Sequence, residues 1–174
     1  YVMFVGLAIV TIVGVVIINE GQRNIPVSYA KQIRGNKTFG GNSSHLPLRV
    51  NMAGVIPIIF AISVVLFPSM LAQLFVNGSG FMASASRATI ALFNNQWFYG
   101  IVYFLLVFGF TYFYTAVIFH PQKMAENLQR QGAFIPGIRP GKETEKYLQS
   151  TMSKLLFSGA FFLGAIAVLP LIVQ

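Results

Sequence analysis

The side chains best equipped for specific contacts in this 174-residue sequence are basic, and they gather in two stretches. Residues 132–141 read Gly-Ala-Phe-Ile-Pro-Gly-Ile-Arg-Pro-Gly. Two Pro-Gly pairs, at 136–137 and 140–141, bracket Arg139, so the backbone is expected to turn twice and present the arginine on a stiffened tip. A planar guanidinium held this way is a hydrogen-bonding fork for carboxylate or phosphate. Phe134 and Ile135 are expected to fold back beneath it as an anchor. The second stretch, Ile33 to Ser44, carries Arg34 and Lys37 among Gly35, Gly40 and Gly41, with Arg23 nearer its base. Such a basic finger suits an acidic partner or RNA. It equally suits a solvated loop that only fixes topology, and basic content alone does not separate the two.

Catalytic chemistry has no comparable footing. The sequence holds no paired carboxylates, metal-ligand cluster, nucleophile elbow or phosphate loop. His45 and His120 stand far apart without an acidic partner at ligand spacing, and both are read as structural. Cysteine is absent, so no disulfide is needed; that fact identifies no compartment.

The elements that must position these basic groups follow from where charge is missing. Apolar residues make up 55% of the chain and charged residues 9%, against about 25% charged in ordinary soluble domains. Four charge-free runs, 1–18, 52–76, 97–119 and 155–173, hold about half the residues. Each is close to the roughly 20 apolar residues that cross a bilayer. This pattern excludes a soluble globular enzyme, a disordered tail and a secreted disulfide scaffold. The expected fold is an all-α integral membrane protein, a bundle of transmembrane helices at 1–18, 52–76, 97–119 and 155–174. The first run has no basic segment before it and no small-residue cleavage pattern after it, unlike a signal peptide. Tyr1 and Gln174 both adjoin apolar runs, which suggests a piece of a longer chain.

Charge bias orients the spans. Loop 19–51 has a net charge of +4 and loop 120–154 a net +3, whereas loop 77–96 holds only Arg87. The first and third are therefore expected in the cytoplasm and the second outside. Both cytoplasmic loops are patterned. Ile25, Val27 and Tyr29, then Leu46, Leu48 and Val50, alternate with polar or small residues on either side of a Gly/Asn/Ser-rich centre, a hairpin signature. In the third loop, 122–131 suits a short helix with Glu126 and Arg130 four apart and Gly132 as its stop. A second helix from about Lys142 should run into the last span.

The spans differ in character. Gly6 and Gly14 would let a neighbour approach the first closely. Run 97–119 has eleven aromatic residues; Trp97 and Tyr99 suit an interface belt, and the others suit lipid-facing or packing surface. Run 52–76 contains Pro57 and Pro68, which would leave the carbonyls of Ala53 and Val64 without intrahelical partners. Breaks of this kind persist where protein or a water-filled cavity satisfies the freed groups. Both a kinked helix inside a bundle and a pathway-lining helix fit. None of the four spans carries Asp, Glu, Lys, Arg or His, which counts against proton-coupled pumping.

The stretches GQRNIPVSYAK (21–31), HLPLRVNMAGVIPIIFA (45–61), LFP (66–68) and GAFIPGIRPG (132–141) resemble the SecY family, the central subunit of the bacterial Sec protein-conducting channel. The likeness runs through essentially the whole sequence and corresponds to the sixth to ninth of the family's ten spans. It implies part of a ten-helix channel built from two inverted halves in the bacterial plasma membrane. Such a channel is passive and has no catalytic residue. It translocates unfolded polypeptides and releases apolar segments sideways into lipid. By the same likeness, Ile59 falls in the ring of aliphatic side chains at the pore constriction, with Ile56 one turn earlier, and Ser63 and Phe67 follow on the same face. Spans 52–76 and 97–119 form one side of the lateral gate. Arg23, Arg34, Lys37, Arg139, Pro140 and Gly141 belong to loops that dock the SecA motor and the ribosome. SecE and SecG, signal sequences, nascent chains and membrane lipids complete the implied partners; no cofactor is implied. One departure is Asn24, where the family often has arginine, so one basic contact is missing. A secondary transporter, which also uses broken helices, is the competing function; it would place a polar or charged substrate site in the spans. An intramembrane enzyme would need a nucleophile–base pair at bilayer depth.

Overall fold

A computed structural model describes residues 2–30, 32–34, 37–39, 41, 43–78 and 80–172. Helix α1 (Val2–Glu20) leads into β1 (Gln22–Tyr29), the short strands β2 (Gln32–Arg34) and β3 (Lys37–Phe39), and β4 (Ser43–Arg49). Then come α2 (Ile56–Phe75), α3 (Phe81–Asn94), α4 (Gln96–Ile118), α5 (Pro121–Arg130), β5 (Ala133–Phe134) and α6 (Lys142–Ile172). Among the described residues, α2, α4 and α6 are long and apolar enough to cross a membrane, and α1 is a further apolar helix. At about 1.5 Å per residue the 31-residue α6 is roughly 46 Å long. That exceeds the bilayer's roughly 30 Å hydrocarbon core, so its polar N-terminal part projects beyond it.

That projecting part belongs to a small body built by both long loops. β1 pairs antiparallel with β4, the hairpin that the alternation predicts, with Ile25 opposite Leu46. β1 also pairs with β5 through Ser28–Phe134 and Tyr29–Ala133, giving the order β4-β1-β5. Ile25, Val27 and Leu48 from the first loop share one core with Leu128, Ala133, Ile135 and Leu148 from α5, β5 and α6. The bundle thus carries a three-stranded sheet at the end where α1 and α4 finish. By connectivity, α3 lies at the other end, where segment 77–96 forms a 14-residue helix rather than an irregular loop.

Several local expectations are revised. Pro57 does not break α2; it stands in the first turn, where its missing N–H would have had no partner. Ala53 therefore lies before the helix. Pro68 is inside α2, which continues through it. In α5, Glu126 accepts from Gln122 Nε2 at 3.4 Å instead of meeting Arg130. Of the anchor pair, Ile135 is buried while Phe134 stays 38% exposed on its strand. Gly132 stops α5 with φ +67°.

A second core joins the helices: Ala61 and Val65 of α2, Tyr103 and Val107 of α4, and Leu163 of α6. The aromatic run of α4 is chiefly packing surface here. Phe104 and Phe108 meet Phe161 and Phe157 of α6 edge-on, at 5.8 and 5.9 Å between centroids. Asn95 starts α4 by accepting from the backbone N–H groups of Trp97 and Phe98. Close approach depends on glycine at Gly159, against Val50; at Gly14 a Cβ would meet only the flexible end of Ile166, and among the described residues nothing lies within 4 Å of Gly6. A Cβ on Gly159 would lie 2.7 Å from Val50 Cγ1 and 3.0 Å from its carbonyl oxygen. Gly159→Ala should therefore destabilise the fold by about 1–3 kcal/mol, the usual range for overpacking. Gly6→Ala should leave stability unchanged or slightly raised. Thermal aggregation of the detergent-purified full-length variants measures both, and equal midpoints for the two would contradict the packing at Val50.

Candidate functional site

Helix α2 is apolar all round, so its faces are distinguished by what they touch. At 100° per residue, Ile56, Ile59, Ser63, Phe67, Met70 and Leu74 fall within one 80° sector. Pro57, Ala61, Val65 and Ala72, the buried residues, centre on the opposite side. Ile59 is 59% exposed and Phe67 61%. The only polar group in the stripe, the Ser63 hydroxyl, donates to Ile59's carbonyl at 2.9 Å within its own helix. The stripe offers dispersion contact, no charge and no free donor. It can form a dry constriction that repels ions while holding no passing group tightly. A solute-binding site would need polar side chains aimed into a cavity, and this face has none. Beside the stripe, Phe60 reaches α4, with ring centroids 6.1 Å from Phe110 and 5.5 Å from Tyr114. Spans 52–76 and 97–119 thus pack together directly.

The arginine tip is built as two successive turns. Gly137 has φ +84° and Gly141 φ +100°, conformations that strongly favour glycine. Between them the Ile138 N–H donates to Ile135's carbonyl at 3.1 Å, and Ile138 packs on the sheet core. The buried Thr144 hydroxyl donates to Arg139's carbonyl at 2.9 Å. The backbone of Arg139 is thereby pinned while its side chain is exposed, as is Pro140. Glu143 and Glu145 occupy the first turn of α6, the favourable end of its dipole.

Arg23 is exposed on β1, opposite the buried Leu48. Arg34 and Lys37 are backbone register partners in the β2–β3 pair, a separate two-stranded sheet. Lys31, Gly35 and Gly40 of the basic finger lie outside the described residues. The structure therefore unites Arg23 and Arg139 in one folded body but assigns Arg34 and Lys37 to a different sheet. Asn24 sits on β1 opposite Pro47 and is exposed.

The SecY family model matches residues 1–174, the whole chain. The chain belongs to the SecY family. Its sequence is 40% identical over 174 residues to the protein translocase subunit SecY of Thermotoga maritima, covering all of this chain and 38% of that protein. It is 47% identical over 171 residues to that of Halalkalibacterium halodurans, covering 97% of this chain and 39% of the relative. A third relative, from Vibrio cholerae, is 45% identical over 166 residues, 94% of this chain and 37% of its own length. The chain thus spans about two fifths of these relatives. With its long apolar helices, this SecY-family chain is a multi-pass membrane protein.

Sequence reasoning missed several contacts that join the elements around the α2 entry and the arginine tip. Asn51, only 6% exposed, bonds to Asn19 and to both backbone groups of Gly54. The sole signal was its position in the NMAG stretch just before Pro57. Gly159 stands out in the last span from sequence, but its contact with Val50, like that of Thr144 with Arg139, was legible only in the structure.

Proposed function

We propose that this chain is part of the pore-forming subunit of a protein-conducting channel in the bacterial plasma membrane. The channel translocates unfolded polypeptides and releases apolar segments laterally into lipid, without catalysis of its own. The observation that carries the reading is the apolar, charge-free stripe of α2 turned directly away from the packed core. Ile59 and Ile56 form the constriction, with Ser63 and Phe67 continuing the pore-facing side. Helices α2 and α4 make one side of the lateral gate. The sheet end is cytoplasmic, because loops 19–51 and 120–154 hold 11 of the 12 basic residues. SecE and SecG are the accessory subunits. The SecA motor and the ribosome dock through Arg23, Arg34, Lys37 and the Arg139-Pro140-Gly141 tip.

Site-specific photocrosslinking in the full-length complex tests this. With a translocating polypeptide stalled in the membrane, crosslinkers at positions 59, 63 and 67 should capture it. Positions 61, 65 and 72, on the packed face, should give adducts weaker by about tenfold or more, since short-range crosslinking requires contact at roughly 4 Å. Equal capture from both sets would sink the pore assignment.

A further inference from the structure

The entry to α2 has a polar anchor whose geometry exceeds what a simple turn requires. Asn51 Nδ2 donates to Asn19 Oδ1 at 2.6 Å and to Gly54's carbonyl at 3.0 Å, while its Oδ1 accepts the Gly54 N–H at 3.0 Å. Both amide hydrogens and the amide oxygen are used. Aspartate has no hydrogens to give at neutral pH, so few residues other than asparagine can make this set. Asn19 lies on the last turn of α1, so one side chain ties the end of α1 to the turn that launches α2. Gly54 turns with φ +64°. Alongside, the Val50 N–H donates to Gly21's carbonyl at 2.8 Å, and Val50 rests against Gly159 of α6. The start of α2 lacks other polar support, since Val55 provides no side-chain cap and Pro57 provides no N–H.

From this we infer that the Asn19–Asn51–Gly54 clasp is a positioning device that sets the azimuth of α2. Ile56 follows Asn51 by five residues, and each residue turns the helix by 100°. Loosening the anchor lets the helix roll, which carries Ile59 away from the axis that its stripe faces. Asn19 and Asn51 therefore act through Ile59 and touch no translocating chain themselves. The inference rests on the pore reading of α2 given above.

The test compares full-length channels with their partner subunits in planar bilayers, at matched membrane abundance. Asn19→Leu removes only the bond between the two helix ends. It should raise resting ion leak by about fivefold, the scale of one part-buried hydrogen bond. Asn19→Asp keeps the acceptor for Asn51 and should stay within about twofold of the parent, since its hydrogen bond is retained. Asn51→Asp loses both donors and should leak more than Asn19→Leu. In the leaking variants, thiol labelling of single cysteines at 60 and 63 should become more nearly equal, because the helix rolls; a merely structural role would not move that ratio. Ile59→Asn serves as the reference. If it leaks while Asn19→Leu and Asn51→Asp do not, the clasp is overturned and the pore reading stands. Asn19→Asp leaking as much as Asn19→Leu, an unchanged labelling ratio, or a fall in abundance without leak also overturns it. If Ile59→Asn itself does not leak, the pore reading fails instead.

Discussion

Arg139→Glu should block SecA-driven export in full-length channels that remain folded and inserted. The side chain is exposed, so its loss removes no intramolecular packing, and a surface arginine with no partner outside the chain would matter by only about 0–1 kcal/mol. Its backbone is different. Two left-handed glycines, the Ile138 contact and the Thr144 hydroxyl hold the tip before any partner arrives. Little conformational entropy is left to lose on docking. Truncating a desolvated, hydrogen-bonded charge at an interface costs about 2–5 kcal/mol, and reversing its sign adds repulsion. At 1.4 kcal/mol per factor of ten, that is a loss of roughly 30-fold to several thousand-fold in affinity. Arg139→Lys keeps the charge and loses the planar fork, so it should fall between. Export rate and motor binding, measured at equal membrane abundance, are the readouts. Wild-type export by the Arg139→Glu channel would rule the role out.

The second large effect is expected at Ile59. Ile59→Asn or Ile59→Gly should open an ion leak and allow export of a substrate with a defective signal sequence. An isoleucine side chain is worth about 1.5–3 kcal/mol in transfer from water, so removing one from a dry ring should favour wetting by roughly 10- to 100-fold. Ile59 is 59% exposed and opposite the packed face, so the fold should tolerate either change better than it tolerates Ala61→Asn, which places an amide at a fully buried position. Glycine additionally weakens α2 by about 1 kcal/mol, and asparagine by less. Conductance in planar bilayers and export of the defective-signal substrate measure the two effects. If both stay at the parental level, Ile59 faces elsewhere.

What the sequence determined by itself is whatever rests on local chemistry or on the bilayer. Charge-free runs of about 20 residues coincide with α1, α2, α4 and the apolar part of α6, because hydrocarbon tolerates no alternative. The hairpin followed from period-two alternation, though not its Ile25/Leu46 register, and the double turn around Arg139 from two Pro-Gly pairs. Tertiary structure decided the rest. Nothing local relates Ser28 to Phe134, more than a hundred residues later, so the shared sheet of the two loops was invisible until β5 lay on β1. The role of Pro57 was not legible either, because it depends on where α2 begins. The proposed pore face of α2 was likewise beyond periodicity. In water an amphipathic stripe marks the buried side, but a helix apolar on every face carries no such mark. Its inner and outer sides were separated only by the helices packed against Ala61 and Val65.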